Sequence, residues 1–326
     1  MQTRIILALL PLLAGACSQN VEYFPARQAS EINPDTHLVL TFKEAPTAGE
    51  AGFIRIWDAV SGECVDSLDL SLPSGLTESR TYGKDCDYTK VPYDYSRDFV
   101  ATNRNTIPGT PSGTAEPTPR DMQLTIIGGF TDGFRFHPVI VHDNTATIYP
   151  HNNMLEYGHE YYVTIDEGAI VCGGFKGIKK GEWSFTTKAS GPVDPKHLRV
   201  NADGSGDFNT VQGALDAVPD FCKDTTTIEI AAGDYEEIVY ARNKTNVIIK
   251  GAGKDATKVH YANNEVFNPH PLTVKTNEWP GTFPSRRAAF ALDNCSDITI
   301  EDITIATDLK GQAEGLLLNG ERIAMY

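Results

Sequence analysis

Three acidic side chains that could do chemistry, Asp302, Asp308 and Glu314, fall close together near the C-terminal end of the chain. Carboxyl groups whose pKa values are driven apart can split nucleophilic and acid/base work between them. The local pattern, however, sets these three on the outer face of strand-and-turn units, where they are expected to be solvated. Gly251 to Lys254 (GAGK) looks like a phosphate loop, but it lacks the preceding glycine spacing and has no Ser or Thr after Lys254. It reads as a turn. There is no HExxH, no G-x-S-x-G, and no cluster along the chain among the eight histidines. After Cys17 come Cys64, Cys86, Cys172, Cys222 and Cys295, with no CxxC and no zinc-like spacing. A Cys64–Cys86 bridge and free buried thiols both fit. No metal and no cofactor are expected.

The elements that must position any site come from a chain of 326 residues, long enough for two ordinary domains. Its 40% hydrophobic and 22% charged content is that of soluble globular protein. A net charge of −15 argues against a nucleic-acid partner, because the phosphate backbone would be repelled. Met1 to Arg4 supplies a short positive region, and Ile5 to Leu13 is an apolar run too short to span a bilayer. Ala14-Gly15-Ala16-Cys17 follows it like a bacterial lipobox, which would make residues 1–17 a lipoprotein-type signal and Cys17 the lipidated residue. Acyl chains there would anchor the protein to a membrane. Ordinary cleavage after the Ala-x-Ala triplet also exports it. The expected location is the outer membrane or cell surface, otherwise periplasmic or secreted.

Residues 21–188 read as all-β. Short β-branched runs at His37 to Phe42, Phe53 to Trp57, Met122 to Ile127, Thr145 to Tyr149, Tyr161 to Ile165 and Trp183 to Thr187 are separated by turn residues, as in a sandwich. A stretch rich in Pro, Ser, Thr, Gly and Tyr at about 72–120 reads as a long insertion. The Trp-x-Phe-Thr-Thr ending resembles bacterial Ig-like domains, which implies a spacer or binding module. Residues 189–196, with two prolines and a glycine, read as a linker.

A second unit spans residues 197–326. Val211, Ala214, Leu215 and Val218 repeat at helical spacing and predict one short helix, ended by Pro219. Apolar strands then recur: Ile228 to Ile248 spans 20 residues and Ile298 to Ile323 spans 25. Such a period predicts stacked coils of a solenoid, capped by the helix. The interval from Val247 to Ile298 is about twice as long and needs an extra coil or an inserted loop. Alternation in DITIEDITI points Ile298, Ile300, Ile303 and Ile305 inward.

VNADGSGDFNTVQGALDAVP at Val200 to Pro219 is similar to the opening of pectinesterases. GDYEEIV (Gly233 to Val239), NVIIKGAGKDATKV (Asn246 to Val259) and the run from Arg286 to Tyr326 resemble later family segments in family order. The resemblance covers some 130 residues. It implies a right-handed parallel β-helix, incomplete here, so the whole chain is expected to be all-β, an Ig-like β-sandwich followed by this β-helix. It also implies metal-free hydrolysis of methyl esters on galacturonic acid units of pectin. In that chemistry one aspartate attacks, a second serves as acid and base, glutamines stabilise the oxyanion, and an arginine orients the nucleophile. Gln312 matches the first oxyanion glutamine, although the family's preceding His is Gly311 here. Thr282 roughly matches a substrate-contacting Thr, with two extra residues between Ser285 and Ala288. The second glutamine, both aspartates and the arginine are not found in these 326 residues, so the chain is expected to be inert or nearly so. Two rivals remain: a non-catalytic, surface-tethered pectin-binding protein, and another β-helix pectin enzyme such as a pectate lyase or polygalacturonase. The lyase reading needs calcium ligands and a basic residue in the middle coils, and the quoted segments do not resemble them.

Overall fold

The structure is a computed structural model that describes residues 21–74, 99–100, 116–117, 123–128, 134–265, 267–268, 286–309 and 313–326. In the N-terminal half, two sheets face each other across one core. The first orders Glu22–Phe24, Leu38–Thr41, Thr145–Ile148 and Val139–His142, all antiparallel. The second orders Ala29–Ile32, Ser184–Thr187, Glu160–Ile165, Phe53–Asp58 and Cys64–Asp69. Alternation fixes which face is buried: Ile54 and Ile56 point inward while Phe53, Arg55 and Trp57 are partly exposed. Trp183, Phe185 and Thr187 likewise alternate into the core, and the Trp183 indole donates to Pro25 O at 2.9 Å. Trp183 therefore ties the last strand to the chain entering the first sheet. Of the expected strand from Met122 to Ile127, Leu124–Thr125 forms among the described residues, which begin there at Gln123. Most of the expected insertion lies outside the described residues; within it, Phe99–Val100 and Glu116–Pro117 pair with each other.

In the C-terminal half the chain winds into parallel coils with three faces. One face stacks His197–Val200, Thr226–Ile230, Thr245–Gly251, residues 296–301 and residues 321–325. A second stacks Gly233–Glu236, Thr257–Tyr261 and Thr304–Thr307. The third stacks Val239–Arg242 on residues 290–293 and those on 316–319. The long strand Ala288–Glu301 thus serves two faces, bending at Asn294 and Asp297, both at positive φ. Corners repeat in register: Asn243 and Asn294 occupy one, and Asn246, Asp297 and Arg322 the next, all at positive φ. Asn and Asp tolerate that conformation better than other non-glycine residues. At the first corner the Asn294 amide donates to Asn243 Oδ1 at 2.7 Å, a polar ladder between coils.

Stacking settles the long interval. Val247 sits directly opposite Ile298, so the intervening residues include no extra coil on that face and the surplus is loop. Ile298, Ile300 and Ile303 are buried as expected, and Ile305 packs partly buried against the same core. Helix Val211–Ala217 covers the first coil, with Thr210 as N-cap accepting from Gly213 N at 2.9 Å. Its expected apolar face is fully buried, but so are Gln212 and Asp216 on the other side. The reason is the N-terminal half, which packs there. Asn152 and Asn153 donate to Asp216 at 3.1 and 2.9 Å. Ile127 and Phe134 join Ile238, Tyr240 and Tyr261 in one cluster, with the Phe134 and Tyr240 rings 4.4 Å apart. Whatever slack the 189–196 segment has, the two halves share a core.

Candidate functional site

Gln312, Thr282 and Cys17 all lie outside the described residues. The described chain closest to Gln312 is the start of Glu314–Met325, where Glu314 lies opposite Ala288. There Arg287 grips Glu314 through Nε at 2.8 Å and Nη2 at 2.6 Å, with Nη1 3.4 Å from Glu265. Beneath it Asn263 donates to Arg286 O at 2.9 Å and Ala288 O at 2.7 Å. Asn268 donates to Asn263 at 3.0 Å and accepts from Arg135 N at 2.8 Å, bringing the N-terminal half to the strand start. Buried amides satisfied in this way hold a backbone rigidly. This platform can position, but its one carboxylate pair is occupied by Arg287.

Glu314 was expected on a solvated face; it is only about a quarter exposed at its side chain, because Arg287 neutralises it there. Asp308 is exposed as expected. Its carboxylate nevertheless meets the buried His260. Asp302 is exposed as expected, at a positive-φ corner.

A second polar assembly lies between the halves at the helix start. Asp35 accepts from Asn209 N at 2.9 Å, Thr210 N at 2.8 Å and Thr210 Oγ1 at 2.8 Å. Glu237 accepts from Val211 N at 2.8 Å and Gln212 N at 3.0 Å. Helix N-terminal amides are unsatisfied within the helix and favour anions. Burial nevertheless dominates, raising Asp35 to about 6 and Glu237 to about 7 against the pull of those amides. Burial also lowers His37 to about 4, keeping it neutral. Nearby, His151 Nδ1 lies 2.6 Å from Asp66, and its Nε2 has no hydrogen-bond partner among the described residues. A cavity of about 90 Å³ touches Asp35, His37, His151 and Glu237. Asp35 and Glu237 hold a proton more readily than free carboxyls, but their oxygens are mostly taken by hydrogen bonds at the helix start, so their first role is to clamp one half to the other. No sequence motif announced them: Asp35 and Thr210 are 175 positions apart.

The family model for Pectinesterase matches residues 197–320, the coiled half just described. Residues 197–320 belong to the pectinesterase family. The chain is 41% identical over 81 residues to a putative pectinesterase/pectinesterase inhibitor of Arabidopsis thaliana, covering 24% of this chain and 8% of that protein. It is 30% identical over 135 residues to Pectinesterase 31 of the same plant, covering 40% of this chain and 41% of that protein. A solved pectin methylesterase from carrot superposes with a TM-score of 0.32 at 29% identity, over 42% of this chain and 40% of that one. The chain thus spans less than half the length of these relatives. His142 of the N-terminal half and His260 of the coils, far apart along the chain, approach neighbouring carboxylates.

Proposed function

We propose that this protein is a carbohydrate esterase of the pectinesterase type, acting on the methyl esters of galacturonic acid units in pectin. The family match over residues 197–320 carries the reading. Gln312 is the proposed oxyanion donor; one such amide aimed at the developing charge lowers a barrier by about 3 kcal/mol. Thr282 is the proposed substrate contact. Masked carboxylates on methylated pectin would let a chain of charge −15 approach. The N-terminal half is read as a bacterial Ig-like spacer, and residues 1–17 as an export signal with lipidation at Cys17.

A second reading is a non-catalytic, surface-tethered pectin-binding protein, which the same experiment separates from the first. The assay is methanol release from highly methylated pectin, run beside retention on immobilised pectin. Residues 1–326 are expected to retain pectin with methanol near background. Methanol release above background that is lost on Gln312→Ala would establish the esterase with Gln312 as donor. A chain that neither retains pectin nor releases methanol would overturn both readings.

A further inference from the structure

At the junction of the two halves, side chains of two kinds converge on one spot. His142 ends a strand of the first sheet, and its Nε2 lies 2.7 Å from Glu236 Oε2. Glu236 ends the strand Gly233–Glu236 on the second face of the coils. On the next coil His260 stands beside it, and on the coil after that Asp308 follows Thr304–Thr307. His260 Nδ1 lies 2.5 Å from Asp308 Oδ2, and its Nε2 lies 2.8 Å from Asp234 Oδ1. A cavity of about 330 Å³ opens onto His142, Asp234, Glu236 and His260.

The arrangement does not balance by itself. A neutral imidazole carries one N–H, so it can donate to one carboxylate and must turn a lone pair toward the other. Both His260 nitrogens nevertheless face carboxylate oxygens at hydrogen-bond distance. Three carboxylates meet here, from Asp234, Glu236 and Asp308. The neighbouring ammonium of Lys258 stands 3.9 Å from Asp234 and 4.0 Å from Asp308. With neutral imidazoles, two negative charges remain. The geometry points to a divalent-cation site formed by Glu236, His260 and Asp308, completed by His142 from the other half of the protein.

The donor atoms of Glu236, His260 and Asp308 all lie within 4.8 Å of one another. Ligation at about 2.0 to 2.2 Å needs them roughly 3.4 Å apart. Asp308 and His142 are exposed enough to close that gap by rotation, with side-chain exposures of 37% and 66%. Imidazole nitrogens mixed with carboxylate oxygens select a first-row ion such as Zn²⁺ over Ca²⁺ or Mg²⁺, which favour all-oxygen sets. The bound ion would cross-link the strand Val139–His142 to the coils and add to the acid clamp at the helix start. Its role is structural and independent of the esterase reading.

The test is titration of the chelator-treated full chain with ZnCl₂ by calorimetry, together with its melting temperature with and without zinc. One zinc per chain and a raised melting temperature are expected. His142→Ala, at a largely exposed position that leaves the fold intact, should weaken binding about tenfold or more. His260→Gln should abolish it, and a Cys64→Ser control should leave it unchanged. No saturable binding, affinity unchanged in both histidine variants, tighter binding of Ca²⁺ than Zn²⁺, or binding lost only in Cys64→Ser would each overturn the site.

Discussion

Gly213 sits in the interior of helix Val211–Ala217, where replacement by alanine should help by about 0.8 to 1.0 kcal/mol on propensity alone. The docked N-terminal half reverses that sign. A Cβ on Gly213 would fall 2.8 Å from Asp35 Cγ and 2.9 Å from Asp35 Cβ, closer than real contacts allow. Relief requires Asp35 to back away from Asn209 N, Thr210 N and Thr210 Oγ1. Hydrogen bonds to a charged group contribute about 1.5 to 3 kcal/mol each, and overpacking costs roughly 1 to 3. Losing even part of that set outweighs the propensity gain, so Gly213→Ala should destabilise by about 2 kcal/mol. The control is Asp35→Gly, which removes the obstructing Cβ as well as the carboxylate. In that background Gly213→Ala should stabilise by about 1 kcal/mol, a coupling near 3 kcal/mol by double-mutant cycle. Urea midpoints of the four chains measure it. A Gly213→Ala chain with a higher midpoint than its parent would show that Asp35 does not bear on the helix, and the inter-domain clamp would fall with it.

Lys244 and Asp220 are both fully buried, with Lys244 donating to Asp220 at 2.9 Å and Val218 O at 2.6 Å. Lys244→Met should cost about 3 to 5 kcal/mol by stranding Asp220, and adding Asp220→Leu should recover most of it; equal melting temperatures for single and double variants would contradict this. Glu237, raised by burial to about 7 from a usual value of 4.5, favours the protonated folded state. Its contribution is therefore complete below about pH 4.5 and is lost as pH rises through 7, a swing on the order of 3 kcal/mol. Glu237→Gln should remove that part of a stability-against-pH profile, leaving the smaller slope of the same sign from Asp35, raised to about 6, and the opposing slope from His37, lowered by burial to about 4, between pH 6.5 and 4; an unchanged profile would rule the assignment out. Burial raises the Cys295 thiol to about 12, while Cys64 is exposed. Alkylation followed by peptide mapping should label Cys64 early and Cys295 only after unfolding.

Much of the coiled half is legible in the residues themselves. The inward isoleucines, the helix spacing and the period near 20 to 25 residues all follow from burial on a repeating backbone, which leaves a periodic trace in the chain. The Asn and Asp residues at the corners, Asn243 with Asn294 and Asn246 with Asp297, carry a trace too, since positive φ restricts residue type. The resemblance to pectinesterases rests on the same local segments, and the family match bears it out. What sequence reading could not supply is every contact between the halves. Asp35 meets Thr210, His142 meets Glu236 and Arg135 meets Asn268 across 175, 94 and 133 positions. Those side chains sit in segments whose local patterns are ordinary; Gln212 and Asp216, off the apolar face of the helix, are buried where the N-terminal half packs on it. The sequence by itself determined the repeating coils, because burial and backbone conformation act within a few residues of each position. The clamp at the helix start and the histidine–carboxylate cluster were decided by tertiary packing alone, because charge balance and hydrogen-bond satisfaction depend on what the fold brings together.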